Sequence, residues 1–213
     1  MRLRKKRNLA PRLERCAHLL AETPESAPAS WREAAAGFKE VHLELGCGKG
    51  RFVTELAAQN PDIFYVALER LSNIIVTAAE RAEEAGLSNV RFYIMDARHL
   101  PLLFGSGEAS RIYINFCDPW PKDRDAKHRL TSPRFLALYT GLLAPGGEIH
   151  FKTDNRPLFE YSLEQFQAAG FDLSGVNRDL HGGGLTGIAT DYELKFHEQG
   201  VKICRCVAKL REG

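Results

Sequence analysis

Apolar runs typical of buried strands alternate with segments of helical periodicity between residues 41 and 170. The predicted strands are 41–45, 63–68, 90–95, 111–116 and 148–152. The predicted helices are 51–59, 72–85, 97–104, a segment that begins at Ser132 and Pro133, and 157–169. Strands that are joined through helices pair in parallel by right-handed crossovers, so this order predicts an α/β fold with a mostly parallel, doubly wound sheet.

The two ends of the chain depart from this alternation. Residues 171–176 and 201–210 predict two strands that close the sheet, with an antiparallel strand at the C-terminus. The glycine-rich loop between them is long for a compact domain, which favours a functional role. Residues 1–38 have no strand pattern and predict a basic, flexible N-terminal extension, which leaves 39–213 as one domain.

The composition narrows the class of protein. The 213 residues are 44% hydrophobic and 26% charged, which is typical of a single globular domain. No apolar run approaches the ~20 residues that a membrane-spanning helix needs, and the basic N-terminus lacks the apolar stretch of a secretory signal. The five cysteines form no Cys-x-x-Cys pair, so we expect neither a disulfide framework nor a metal site, and a cytoplasmic location.

The distribution of charge is more informative than the formal net charge of +2. The segment 1–15 is rich in lysine and arginine, and its one acid is Glu14. A second basic region covers 122–134, where Asp123 and Asp125 interrupt the positive charges. Such regions attract phosphate groups, but they also serve as solubilising surfaces, and charge alone does not separate the two.

A glycine loop follows the first strand of the alternating region. Gly46, Gly48 and Gly50 form a Gly-x-Gly-x-Gly pattern, which differs from the Gly-x-Gly-x-x-Gly of pyrophosphate binders. Such a loop holds a nucleotide-like cofactor or exists only for tight packing. S-adenosylmethionine (SAM) has no phosphate and carries positive charge, so it favours an acidic neighbour, and Glu44 supplies one.

Further acids come at the ends of the next strands. Glu69 ends the second strand, and its distance in sequence from the glycine loop suits an acid that binds ribose hydroxyls in NAD and SAM folds. Asp96 ends the third strand and is a candidate for the adenine amine, or alternatively a helix N-cap. Because the carboxyl ends of parallel strands share one edge of a sheet, we expect these acids to face one cleft.

The segment 115–122 carries the sharpest functional signal. Asp118 follows the fourth strand, Pro119 fixes the backbone, and Trp120 offers a face for stacking on a base. The alternative interpretation is a rigid turn with a packing tryptophan. Asp154 and Glu193 are candidate acceptors for the donors of a guanine edge, although each is equally suited to a cap or a salt bridge.

Four segments occur together in the order Glu44–Gly50, Asn115–Lys122, Phe151–Asn155 and Thr190–Phe196. With these segments, residues 41–208 resemble the bacterial tRNA (guanine-N7-)-methyltransferases. The resemblance implies a Rossmann-like class I methyltransferase fold with an antiparallel C-terminal strand. It further implies methyl transfer from SAM to N7 of guanosine 46 in the tRNA variable loop, with S-adenosylhomocysteine as the second product and no metal.

The resemblance also implies roles for individual residues. The SAM contacts would be Glu44, Gly46, Gly48, Gly50, Glu69, Asp96 and Asp118, with Asp118 also the catalytic residue. The tRNA substrate contacts would be Lys122, Asp154, Thr190, Asp191, Tyr192 and Glu193. Further RNA contacts are expected from Arg124, Lys127, His128 and Arg129. The family usually has an almost unbroken basic run here, from which Asp123 and Asp125 depart.

Other functions fit parts of the pattern. A methyltransferase acting on an exocyclic base amine or another RNA guanine is the nearest rival. A non-catalytic RNA-binding module would not need the set of acids at the strand ends. A dehydrogenase would favour a different glycine spacing. Whether the protein acts as a monomer or a homodimer is open at this stage.

Overall fold

A computed structural model describes residues 8–21 and 28–211 of the chain. Its strands are β1 (Leu20–Ala21), β2 (Glu40–Leu45), β3 (Ile63–Glu69), β4 (Val90–Ile94), β5 (Ala109–Asn115), β6 (Leu143–Thr153), β7 (Phe171–Asn177) and β8 (Cys204–Leu210). Its helices are α1 (Leu9–Arg15), α2 (Trp31–Ala34), α3 (Arg51–Gln59), α4 (Ser72–Glu84), α5 (Pro133–Leu142), α6 (Arg156–Ala168) and α7 (Asp191–Glu198). Two 3₁₀ helices cover Ala97–Leu102 and Asp123–His128.

The described strands form one sheet in the order β1-β4-β3-β2-β5-β6-β8-β7. The pairs from β1 to β6 are parallel, whereas β8 runs antiparallel to both β6 and β7. This confirms the predicted mostly parallel sheet with an antiparallel C-terminal strand. The strand order reverses between β2 and β5, which is the point where ligands bind in open α/β sheets.

Helices cover both faces of this sheet. Along β3, Tyr65 belongs to the apolar cluster under α3 and α4, while its neighbours Phe64 and Val66 belong to the cluster under α5 and α6. All three side chains are buried. A central strand that is buried on both faces explains why the sequence shows a continuous apolar run here rather than strict alternation.

The described part of the segment 1–38 packs on the domain, which differs from the expected flexible extension. Strand β1 pairs with β4, and Arg12 in α1 forms an ion pair with Glu80 in α4. Trp31 is buried, stacks on Phe104 and donates from Nε1 to the Leu103 carbonyl at 2.6 Å. Trp31 is a single large apolar residue between the polar Ser30 and Arg32 and therefore leaves no periodic signal. The basic residues 2–7 and the segment 22–27 lie outside the described residues.

Helix α7 lies in the segment that the sequence analysis treated as a loop. Thr190 and Glu193 form a capping box, in which each side chain accepts from the backbone N–H of the other. The Thr-x-x-Glu spacing was the available signal for this helix. None of the helices within 8–21 and 28–211 is long and apolar enough to cross a membrane.

Candidate active site

A cavity of about 790 Å³ opens at the carboxyl ends of β2, β3, β4 and β5. Its acidic lining residues are Glu44, Glu69, Asp96, Asp118 and Asp191. Its basic lining residues are Lys49, Arg51, Arg70, Arg98, Lys127, Arg134 and Lys195, with His128 beside them. The predicted acids at the strand ends therefore share one cleft, as expected for parallel strands that end at the same edge.

The glycine loop forms one wall of the cavity. The backbone N–H groups of Gly46 and Cys47 both donate to the Leu68 carbonyl, at 2.8 and 2.9 Å, which ties the loop to β3. Gly46 and Gly48 line the cavity and have positive φ. Gly50 also has positive φ but lies outside the lining, packed on α4. The structure therefore shows a packing contact for Gly50, while its cofactor contact stays a prediction.

Glu44 places a carboxyl group inside the protein at the end of β2. Its side chain is 3% exposed, and its Oε1 accepts a hydrogen bond from the Asn115 amide at 3.1 Å. Its Oε2 is buried without a hydrogen-bond partner among the described residues. Burial raises the pKa of Glu44 to about 7. A buried acceptor with free capacity at a cavity wall fits a ligand that brings donors or positive charge.

The next two acids are less buried and have partners of their own. Glu69 accepts from the backbone N–H of Leu71 at 3.1 Å. Asp96 caps the 3₁₀ helix through the N–H of Arg98 and also pairs with the Arg98 guanidinium at 2.9 Å. Burial opposes ionisation of Asp96, but the Arg98 hydrogen bonds lower its pKa below the usual value. The capping alternative for Asp96 is realised, and the residue also lines the cavity.

The segment after β5 has an unusual backbone. Phe116 and Trp120 have φ of 53° and 42°, a left-handed conformation that costs a non-glycine residue roughly 1–2 kcal/mol. Arg129 holds the segment in place, donating to the carbonyls of Pro119 and Trp120 at 3.1 and 3.0 Å. Asp118, at the centre, is 71% exposed in its side chain. This backbone conformation places the exposed Asp118 carboxylate at the cavity.

The role of Arg129 differs from the sequence prediction of an RNA contact. Arg129 is only 9% exposed, and its guanidinium carbon lies 4.4 Å from the centre of the Tyr161 ring. The same guanidinium donates to backbone carbonyls of the Asp118 loop, so it faces the protein interior. By contrast, the neighbouring Lys127 and His128 are exposed and line the cavity.

The residues at the start of α7 divide into two groups. Thr190, Asp191 and Tyr192 line the cavity, and the Tyr192 ring lies nearly parallel to Phe116 at 6.2 Å while remaining 61% exposed. Glu193 is fully buried instead, and both of its oxygens accept from Lys152 at 3.0 and 2.9 Å. The structure therefore gives Glu193 an internal ion pair in place of the predicted substrate contact.

Three further predicted contacts lie outside the cavity. Lys122, Arg124 and Asp154 are exposed and do not line it.

Arg70 lines the cavity but was not singled out from the sequence. Its guanidinium lies 3.8 Å from both Asp96 and Asp118. Its position directly after Glu69, at the end of β3, could have indicated from the sequence that it lies at the cavity.

Two histidines pair with carboxylates on their own strands. His42 contacts the Glu40 carboxylate at 2.6 Å, and His150 contacts Glu148 at 2.8 Å. Burial lowers the pKa of His150 to about 4, so its imidazole is neutral at physiological pH. Within the described ranges, no three His, Cys, Asp or Glu side chains cluster in a way that would hold a metal ion.

Solved structures share this fold. The 16S rRNA methyltransferase KamB superposes with a TM-score of 0.68 over 85% of this chain and 92% of that chain, at 18% identity. A 16S rRNA (adenine(1408)-N(1))-methyltransferase from Catenulisporales acidiphilia, solved with its cosubstrate SAM, gives 0.63 over 90% and 93%, at 14% identity. The fold is that of the class I methyltransferases.

Sequence comparison places the chain within this class. Residues 39–206 match the model of a family described as putative methyltransferase. The tRNA (guanine-N(7)-)-methyltransferase of Listeria monocytogenes serotype 4b is 44% identical over 98% of both chains. The enzyme of the same name from Geobacillus kaustophilus is 43% identical over 98% of this chain and 96% of its own. The chain belongs to the tRNA (guanine-N(7)-)-methyltransferase family.

Proposed function

We propose that this protein transfers the methyl group of SAM to N7 of guanosine 46 in the tRNA variable loop, releasing S-adenosylhomocysteine. The observation that carries the proposal is the division of charge in the cavity. A buried carboxyl and two further acids lie at the strand ends, while basic residues surround them. This arrangement suits a cationic small molecule inside and a polyanion at the opening.

The residues of the cavity fit SAM. Glu44 has an unsatisfied buried oxygen for a donor or cation, and Gly46 and Gly48 let the backbone approach a ligand closely. Glu69 would accept from the ribose hydroxyls, and Asp96 from the adenine amine. When bound, SAM supplies an electrophilic methyl group on a positively charged sulfur. The protein's part is to hold this donor in line with the guanine ring.

Asp118 is the residue that we propose at the reacting base. Guanine N7 has a free lone pair at neutral pH, so no general base is needed to create the nucleophile. The N7 lone pair would form the new N–C bond while the electrons of the C–S bond remain on sulfur, so the positive charge would move from sulfur to the base. An exposed carboxylate at the cavity opening stabilises that charge and orients the base.

The edge of the cavity would hold the RNA. Tyr192 presents a ring that is backed by Phe116, which suits stacking of an unpaired base. Lys127 and His128 line the opening and would contact phosphate, while Lys122, Arg124 and Asp154 would contact RNA farther out. Arg12 and Arg15 share the single carboxylate of Glu80, so the phosphate attraction of the N-terminal region would come mainly from residues 2–7.

The direct test uses unmodified tRNA and labelled SAM, with the product nucleoside identified by mass spectrometry. We expect N7-methylguanosine at position 46, and no transfer to a transcript with adenosine at that position. An exocyclic methylamine product would instead support the rival amine methyltransferase. Binding of tRNA without any transfer would support the non-catalytic alternative.

A further inference from the structure

Three charged or titratable side chains form a buried group beside the cavity. Lys152 lies at the end of β6 and donates to both oxygens of Glu193, while His181 Nε2 contacts Glu193 Oε1 at 3.0 Å. The backbone N–H of Thr186 donates to His181 Nδ1, so Nε2 carries the ring proton and donates to Glu193. All three members of the group are buried, and Glu193 is completely inaccessible to solvent.

This group joins segments that are far apart in sequence. Lys152 also donates to the Ile188 carbonyl at 3.2 Å, and Glu193 Oε2 accepts from the Thr190 N–H at 3.0 Å. Together with His181, these bonds fasten the glycine-rich segment and the first turn of α7 to the end of β6. That turn carries Asp191 and Tyr192, both of which line the cavity.

The same lysine reaches toward the cofactor side of the cavity. Its ammonium lies 4.9 Å from the centre of the Phe52 ring, and Phe52 lines the cavity. Lys152 pairs in register with Asn115 on β5, whose amide holds Glu44. Its positive charge favours the ionised form of Glu44. Lys152 thus lies between the acid predicted to hold SAM and the helix predicted to meet the RNA.

We propose that Lys152, Glu193 and His181 form a positioning network that sets the first turn of α7, and with it Tyr192, at the RNA side of the cavity. This inference rests on the proposed function. It assigns Glu193 an indirect role, acting through the helix rather than touching the substrate. The reason is geometric, because hydrogen bonds from three separate residues already occupy both of its oxygens.

The variants must separate positioning from stability. Removing one member of a buried ion pair leaves an uncompensated charge, so Lys152→Met alone is expected to destabilise the fold. The double variant Lys152→Met and Glu193→Met replaces the pair with apolar groups, which is often neutral for stability. His181→Gln keeps a donor for Glu193, whereas His181→Ala removes it.

For the double variant we expect a melting temperature above that of Lys152→Met but below that of the wild type, because His181 Nε2–H and the Thr190 N–H lose their acceptor. Its SAM affinity should also fall, since the Lys152 charge that favours ionised Glu44 is gone. In His181→Ala, which keeps that charge, the SAM Kd should stay within about twofold of the wild type.

The kcat/KM of the double variant for tRNA should fall by about a hundredfold, since a small misplacement of positioning groups has effects of that size. His181→Ala should show this loss of kcat/KM in milder form, and His181→Gln should restore most of it.

Hydrogen exchange reports on the helix without relying on catalysis. In His181→Ala, exchange in residues 186–198 should accelerate by about tenfold or more, the size expected when a hydrogen bond to a charged group is removed. Exchange in 46–59 should stay unchanged. Lys202→Met, which removes an exposed ion pair with Asp179 in the same region, should alter none of these measurements.

Two results would overturn the network. One is recovery of tRNA turnover together with stability in the double variant, which would make the group purely structural. The other is unchanged exchange of 186–198 in His181→Ala. A wild-type protein that methylates no tRNA would refute the proposed function instead, and the exchange measurement would still decide about the network.

Discussion

At the scale of single residues, the most informative side chain is Glu44. A carboxyl group that is buried with one oxygen unsatisfied destabilises a protein unless something compensates it. A cation bound in the cavity would provide that compensation, and the binding energy would favour the ionised carboxylate. The cost of keeping Glu44 inside is therefore best explained by a ligand that carries positive charge.

This gives a pH dependence for SAM binding. The pKa of Glu44 is raised by burial to about 7, so the proton competes with a cationic ligand as the pH falls through that value. We expect SAM affinity to weaken between about pH 8 and pH 6, as measured by calorimetry, with a proton released on binding near neutrality. Glu44→Gln should bind weakly at pH 8 and lose this dependence, while Glu84→Gln, an exposed acid on α4, should behave as wild type.

Asp118 differs from Glu44 because it is exposed. Asp118→Asn keeps the shape of the loop but removes the charge that we place near the methylated base. We expect kcat to fall by about a hundredfold or more, with SAM Kd changed by less than about threefold, because the effect lies in the transition state. Asp123→Asn is the matched control, since Asp123 is exposed but outside the cavity lining. A near wild-type rate in Asp118→Asn would remove this residue from the mechanism.

At the scale of elements, the glycine loop meets two requirements, an open cavity wall and close packing of α3 on α4. Gly46 and Gly50 have φ of 78° and 79°, a region that favours glycine, but their surroundings differ. A Cβ on Gly50 would lie 2.4 Å from the Cβ of Ala78 in α4, whereas a Cβ on Gly46 would meet nothing within 4 Å. The last glycine of the motif is therefore a contact between α3 and α4, and the first faces the cavity.

Alanine at these two positions should separate the requirements. Gly50→Ala adds a steric clash to the backbone strain, so we expect a loss of about 2–4 kcal/mol of unfolding free energy. Gly46→Ala has the strain without the clash and should lose only about 1–2 kcal/mol. Chemical denaturation of the two variants measures the difference. Equal losses would mean that α4 yields to the added methyl group without cost.

At the scale of the whole molecule, the charges are sorted by depth. The formal net charge is only +2, yet exposed Lys49, Arg70, Arg98, Lys127 and Lys195 surround a cavity whose wall includes the buried Glu44. Opposite charges at different depths allow one site to attract a polyanion and a cation at the same time. The two acids that interrupt the basic run, Asp123 and Asp125, lie outside this lining.

The salt dependence of tRNA binding tests this arrangement. Replacing Lys127 and Lys195 with methionine should weaken tRNA binding and lower the slope of log K against log salt by up to about one for each lysine that binds a phosphate. SAM affinity should not change. Lys209→Met, an exposed lysine on β8 that does not line the cavity, is the control. An unchanged slope in the double variant would place the RNA on another surface.

The sequence by itself determined the order of the elements and the acids at the strand ends, because periodicity and strand termination are local properties. It did not reveal that Trp31 anchors the N-terminal region, since a single apolar residue has no period. Whether a polar side chain is available to a ligand or already hydrogen-bonded within the protein was decided by the tertiary structure alone. Glu193 is satisfied by Lys152 on a distant strand, and Arg129 by carbonyls at the start of the β5–α5 connection. Contacts between distant segments leave no trace in local pattern, and they separated the side chains that line the cavity from those that hold it in shape.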